Sequence, residues 1–252
     1  MDTNQPSDKK QRLVVGAIAT WLVLATSAVT FFVWPNPKAR AVLGMGWGLI
    51  FLWIGLCGSL MRRFRDQARA FVQGLRWDWR VKFALFATAL ALLEEAITTT
   101  MTNLAPLFGV SVGEAYITAS TNFFDVVALH SVVMFVPLFV GWAVILSRYA
   151  FSPFAVFMLF GLTGTIMETN LFTKNPLEFG LWIFVYGLMV YLPAYTCVPA
   201  EQARTARSVR WWHYPLAVVV PFLFIPIVPL PLLAGLLFPH HPKIHFPPIG
   251  HG

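Results

Sequence analysis

The chain has 252 residues, of which 58% are hydrophobic and only 12% charged, against about 45–50% apolar and about 25% charged in soluble domains. That balance excludes an ordinary water-soluble enzyme, a disordered chain and a dedicated nucleic-acid binder, despite a formal net charge of +7. It points to an all-α, polytopic membrane helical bundle.

Seven apolar runs approach or exceed the roughly 20 residues that cross a bilayer: 13–34, 41–61, 83–106, 124–147, 153–173, 177–198 and 214–238. They predict about seven transmembrane helices within 13–238, between a short tail at 1–12 and a His- and Pro-rich tail at 239–252. The first run follows Lys9-Lys10-Gln11-Arg12 as a signal peptide would. It continues through Phe31, Phe32, Val33 and Trp34 without a small-residue cleavage site, so a retained helix is expected.

Fourteen of the 18 Lys and Arg fall on the side of the N-terminus, seven of them between Arg62 and Lys82. Lys38, Arg40, Lys174 and Lys243 fall opposite. Positively charged loops stay cytoplasmic, so the N-terminus is predicted inside and, with seven spans, the C-terminus outside. The implied setting is a bacterial inner membrane, with the bilayer and anionic lipid at the cytoplasmic face as partners, together with other membrane proteins or further copies of the chain. Within the basic segment 62–82, Phe64, Ala68, Phe71, Val72, Leu75 and Trp79 recur at helical spacing, which suits a helix in the membrane interface as well as a plain basic loop. Cys57 and Cys197 predict neither a disulfide nor a zinc motif.

Ionisable residues inside apolar runs carry the functional signal, because a charge at the bilayer centre costs at least about 2.5–3.5 kcal/mol on insertion scales. They are Glu94, Glu95, Asp125, His130 and Glu168. No Lys or Arg lies inside any run, so these groups must be protonated, hydrogen-bonded, paired with His130 or bound to a cation. Their depths allow one outward-opening pocket, a candidate site for a proton or a divalent metal ion. Two ridges, Glu94/Thr98/Thr102 and Glu95/Thr99/Asn103, lead outward at four-residue spacing and are candidates, with Asn170, to line the pathway. The same Thr and Asn also suit interhelical hydrogen bonds and helix caps.

Three further segments read blandly. The loop 107–121 is expected to be an ordinary exposed loop, although a lid is open to it. Gly161 and Gly164 lack dimer-motif spacing and are expected to permit close helix approach. The four histidines of 239–252 are expected to be incidental, since a Pro-rich chain stays extended and binds metal weakly. The five prolines between Pro215 and Pro231 make the last run a candidate for a broken or re-entrant segment.

The last span has no lysine for a retinal Schiff base, and one intramembrane histidine supports neither a haem pair nor a zinc hydrolase of the seven-helix type. The Glu94–Glu95 pair resembles the first motif of glutamate-type intramembrane proteases, the CAAX-type prenyl endopeptidases and their bacterial relatives. The resemblance covers two residues: Thr99 stands where that motif has an arginine, and the later Phe and His motifs are not reproduced around His130. Three readings remain open. A cation-handling protein is one, and a subunit that assembles a membrane complex is another. The third is a hydrolase with a glutamate as general base, His130 as acid or orienter, and Asn103 or Asn170 as oxyanion donor.

Overall fold

The computed structural model describes residues 8–169, 176–247 and 249. Among the described residues no strand forms, only isolated bridges at Val112–Ala115 and Tyr149–Arg207. Helix α1 spans Asp8–Val33. Helix α2 (Pro37–Arg63) starts where the Asn36 side chain accepts from the amide of Ala39 and Pro37 presets the first helical turn. Then come α3 (Arg65–Gly74), α4 (Trp79–Asn103), α5 (Phe123–His130), α6 (Val132–Arg148), α7 (Pro153–Thr169) and α8 (Phe179–Cys197). The last three are α9 (Ala200–Thr205), α10 (His213–Phe224) and α11 (Leu230–Leu237).

Three of these, α1, α2 and α8, are long and apolar enough to cross a membrane. The pair α5–α6, bent by 50°, makes a fourth if it is one span. Among the described residues three or four candidate spans are thus shown where seven were expected, for local reasons. Helix α4 has 25 residues, but Glu94, Glu95 and its threonines lower its hydropathy. Helix α7 has only 17 residues, and the rest of its run lies outside the described residues. The last run breaks into α10 and α11, since Pro221, Pro226 and Pro229 each withhold an amide from the helix ladder.

Helices α7 and α8 pack most extensively on one another, and α4 lies against α6 and α8. Trp53, Phe83, Phe139, Trp142 and Phe160 are fully buried among them. Trp53 also donates its indole N–H to the carbonyl of Val185 at 3.0 Å, tying α2 to α8. Gly161 lets the two backbones meet: a Cβ there would lie 2.5 Å from the carbonyl oxygen of Ile183. Gly164 likewise leaves room for the ring of Tyr186. Close approach through both glycines is what their sequence context implied.

Helix α3 forms within the basic segment 62–82. Val72 is buried, and Gln73 donates to the carbonyl of Thr196 on α8. Lys82 caps the far end through the carbonyls of Val72 and Leu75. Phe64, Phe71 and Trp77 stay exposed beside the arginines. Both cysteines are free thiols.

Backbone atoms cannot yield as a side chain can, so Gly161→Leu is expected to cost about 1–3 kcal/mol by overpacking. The thermal midpoint of the detergent-purified protein should fall accordingly. Gly235→Leu, where a Cβ meets nothing within 4 Å, should leave it nearly unchanged.

Candidate metal centre and the cavity behind it

Helix α5 begins at Asn122, whose side chain accepts from the amide of Phe124 at 3.0 Å. The chain then winds more widely than an α-helix: over Val126–His130 it forms a π-type turn, closed by the amide of Ser131 donating to the carbonyl of Val126. A turn of this pitch sets residues five apart on one face, so Asp125 and His130 point the same way. The chain bends at Ser131, between α5 and α6, presenting both groups at the end of the bundle.

The other half of the centre arrives from the C-terminal tail, which crosses this end as a strap. The chain turns at Pro239 and His240, where the amide of His241 donates to the carbonyl of Phe238, and Pro242 follows the turn. The amide of His245 donates to the carbonyl of Ala119 at 2.8 Å, the Tyr116 hydroxyl donates to the carbonyl of Pro247, and the rings of Tyr116 and Phe246 stack at 4.6 Å. The loop 109–122 is thus a seat for the strap and not a free loop. It is fixed from α4, because Thr102 Oγ1 accepts from the amide of Ile117 and Asn103 donates to the carbonyl of Thr121. Within it, the amide and hydroxyl of Ser111 hold the carboxyl of Glu114 below the usual carboxylate range.

The strap delivers His241 and His245 onto Asp125. Their Nε2 atoms lie 2.8 Å and 2.9 Å from the two Asp125 oxygens, and His130 Nε2 lies 3.7 Å from Oδ2. His241 Nε2 is also 3.1 Å from the Nε2 atoms of both His130 and His245. The four donor atoms fall within 4.8 Å of one another. One imidazole nitrogen carries either one proton or one lone pair, so His241 cannot satisfy three such neighbours by hydrogen bonding alone. Asp125 Oδ2 is buried without a hydrogen bond of acceptable geometry.

Both facts fit a shared cation. For Zn–N bonds of about 2.0–2.1 Å, tetrahedral donors lie roughly 3.4 Å apart, a distance bracketed by the separations of 2.8 to 3.7 Å above, with all four donors within 4.8 Å. Imidazole-rich sets with one carboxylate suit borderline divalent ions. The side chains of Asp125 and His130 retain 11% exposure and that of His245 32%, which leaves a way in from solvent.

Behind the centre lies a cavity of about 860 Å³, with His130, Lys243 and Ile244 at one side and Glu94, Glu95, Thr98, Glu168 and Tyr186 in its wall. Glu94 and Glu95 are buried. Thr98 donates to Glu95 Oε2 at 3.1 Å, and the Tyr186 hydroxyl donates to Glu168. Lys243 of the tail is the one lysine or arginine lining this space among the described residues.

The five ionisable groups singled out from the sequence therefore divide. Asp125 and His130 enter the four-donor cluster; Glu94, Glu95 and Glu168 gather in the cavity wall apart from it. Of the suggested pathway residues, Thr98 lines the cavity. Thr99 is buried with its hydroxyl unpartnered, Thr102 and Asn103 hold the loop, and Asn170 lies outside the described residues. His241 and His245, expected to be incidental, complete the cluster; their four-residue spacing is the signal the sequence offers for them.

Comparison with protein families, with curated proteins and with solved structures finds no match for this chain.

Asp125 is the shared contact of His241 and His245, at 2.8 Å and 2.9 Å, so Asp125→Asn should loosen the strap. Backbone amides in 239–247 are expected to exchange at least about tenfold faster in metal-free protein, read by hydrogen-exchange mass spectrometry. Unchanged protection would mean that Asp125 does not hold the tail.

Proposed function

We propose that this is an integral membrane protein that binds a borderline divalent cation, zinc in class, through Asp125, His130, His241 and His245, and handles cations or protons through the cavity behind. The convergence of four donor atoms within 4.8 Å is the observation that carries this reading. The distribution of Lys and Arg favours an outward-facing centre. Four carboxylic acids in the cavity wall, Glu94, Glu95, Glu168 and Glu178, suit a second station for a cation or a relay for protons, since acids in apolar surroundings exchange protons or ions to avoid bare charge.

A second reading is metal-assisted hydrolysis. It is favoured by His130 belonging both to the ligand set and to the cavity wall, which would place an ion at the edge of a chamber holding a substrate, with Glu95 as base.

Elemental analysis and calorimetry on detergent-purified protein test the shared premise. About one equivalent of metal is expected. His241→Ala combined with His245→Ala should weaken binding by more than the roughly 10–100-fold that losing an outer-shell contact costs. Glu95→Gln and Glu168→Gln should leave that equivalent in place while reducing ion or proton movement in liposomes. Wild-type protein free of bound metal after zinc titration, or a double variant that keeps its metal, would overturn the assignment. Turnover of a lipid or peptide without ion movement would select the second reading.

A further inference from the structure

A second cavity, of about 520 Å³, lies nearer the start of α1 and the end of α2, between those helices and α7 and α8. It uses residues 11–16 of α1, whereas the acidic cavity uses 25–29 of the same helix. At 1.5 Å per residue the two are separated by roughly 15 Å along the axis.

The chemistry of this cavity is of opposite sign. Arg12, Arg62 and Arg65 line it together with the hydroxyls of Ser59 and Tyr191, and no carboxylate does. Arg65 is oriented by a hydrogen bond with Tyr191 and by the Tyr195 ring 5.0 Å from its guanidinium carbon. Arg12 and Arg62 make no ion pair among the described residues. The remaining wall is apolar, with Phe154, Phe157, Phe184 and Leu188. Three guanidinium groups above such a wall match a ligand with an anionic head and a hydrocarbon tail.

The surroundings say where that ligand comes from. Helix α1 has only 11% of its span window buried, so the α1 side of the cavity faces the bilayer and not protein. Beside it Phe64, just before α3, and Phe71 on α3 are exposed among arginines, as suits a helix lying in a lipid headgroup layer. We infer that this cavity is a specific site for one anionic glycerophospholipid, its phosphate on Arg12, Arg62 and Arg65 and one acyl chain along Phe157 and Leu188. The site is independent of the metal centre.

Gly16 supplies a test that leaves every charge in place. It lines the cavity, and a Cβ there meets nothing within 4 Å, so a larger side chain fills the space without disturbing the packing. The full-length protein in mild detergent is titrated with dioleoyl phosphatidylglycerol or dioleoyl phosphatidylcholine and read by native mass spectrometry. One phosphatidylglycerol per chain is expected, with at least about tenfold preference over phosphatidylcholine. Arg62→Gln with Arg65→Gln should abolish the preference, and Gly16→Leu should weaken phosphatidylglycerol binding although all arginines remain. Arg63→Gln with Arg76→Gln, which removes two charges outside the cavity, should leave it unchanged. Equal binding of the two lipids, or equal losses from the two arginine pairs, would overturn the site. So would a Gly16→Leu protein that binds like wild type, or displacement of the lipid by equimolar inorganic phosphate.

Discussion

Asp125 sets a requirement that the end of the molecule is arranged to meet. Its carboxylate is almost enclosed, and an enclosed anion is tolerated only with cationic or hydrogen-bonding partners. Helix α5 offers one, His130, by winding through a π-type turn. The other two come from the tail, which reaches them because loop 109–122 gives it a backbone partner at Ala119 and an aromatic one at Tyr116. Loop, strap and bent helix therefore form one interdependent unit, and the cavity wall near His130 exists only when all three are in place.

The same constraint operates deeper, with a different solution. Glu94, Glu95 and Glu168 have no arginine or lysine from the helices around them. Hydroxyl groups serve instead: Thr98 on Glu95 and Tyr186 on Glu168. Tyr186 can stand there because residue 164 is glycine, so the tight seam between α7 and α8 and the polarity of the cavity wall share one residue. The two cavities then divide the charge of the bundle, acidic toward the strap and basic toward the N-terminal end of α1.

How much of this is legible in the chain depends on the range of the interaction. Glu94, Glu95, Asp125, His130 and Glu168 stand out because ionisable groups are rare in apolar runs, and each lies at or beside a cavity or the donor cluster. Close approach at Gly161 and Gly164 was readable for the same local reason. His241 and His245 were not, since proline-rich chain normally stays in water and their contacts depend on tyrosine and backbone partners more than a hundred residues away. The threonine ridges show the limit of periodicity: four-residue spacing places side chains on a face, but only the neighbours decide whether it meets a cavity, as at Thr98, or a loop, as at Thr102. Counting apolar runs yields seven where three or four helices among the described residues are long and apolar enough to cross a membrane, because run length ignores where prolines and glutamates fall.

The ligand pairs also bear on folding order. His130 and His241 are 111 positions apart, and everything between them must be threaded and packed before the second half of the set can reach the first. A crosslink enclosing a loop of about 100 residues removes roughly 4.7 kcal/mol of chain entropy from the unfolded state when covalent, and a bound ion acts in the same sense while remaining reversible. An ion captured there would thus act as a late fastener, rewarding only chains whose intervening helices are already assembled.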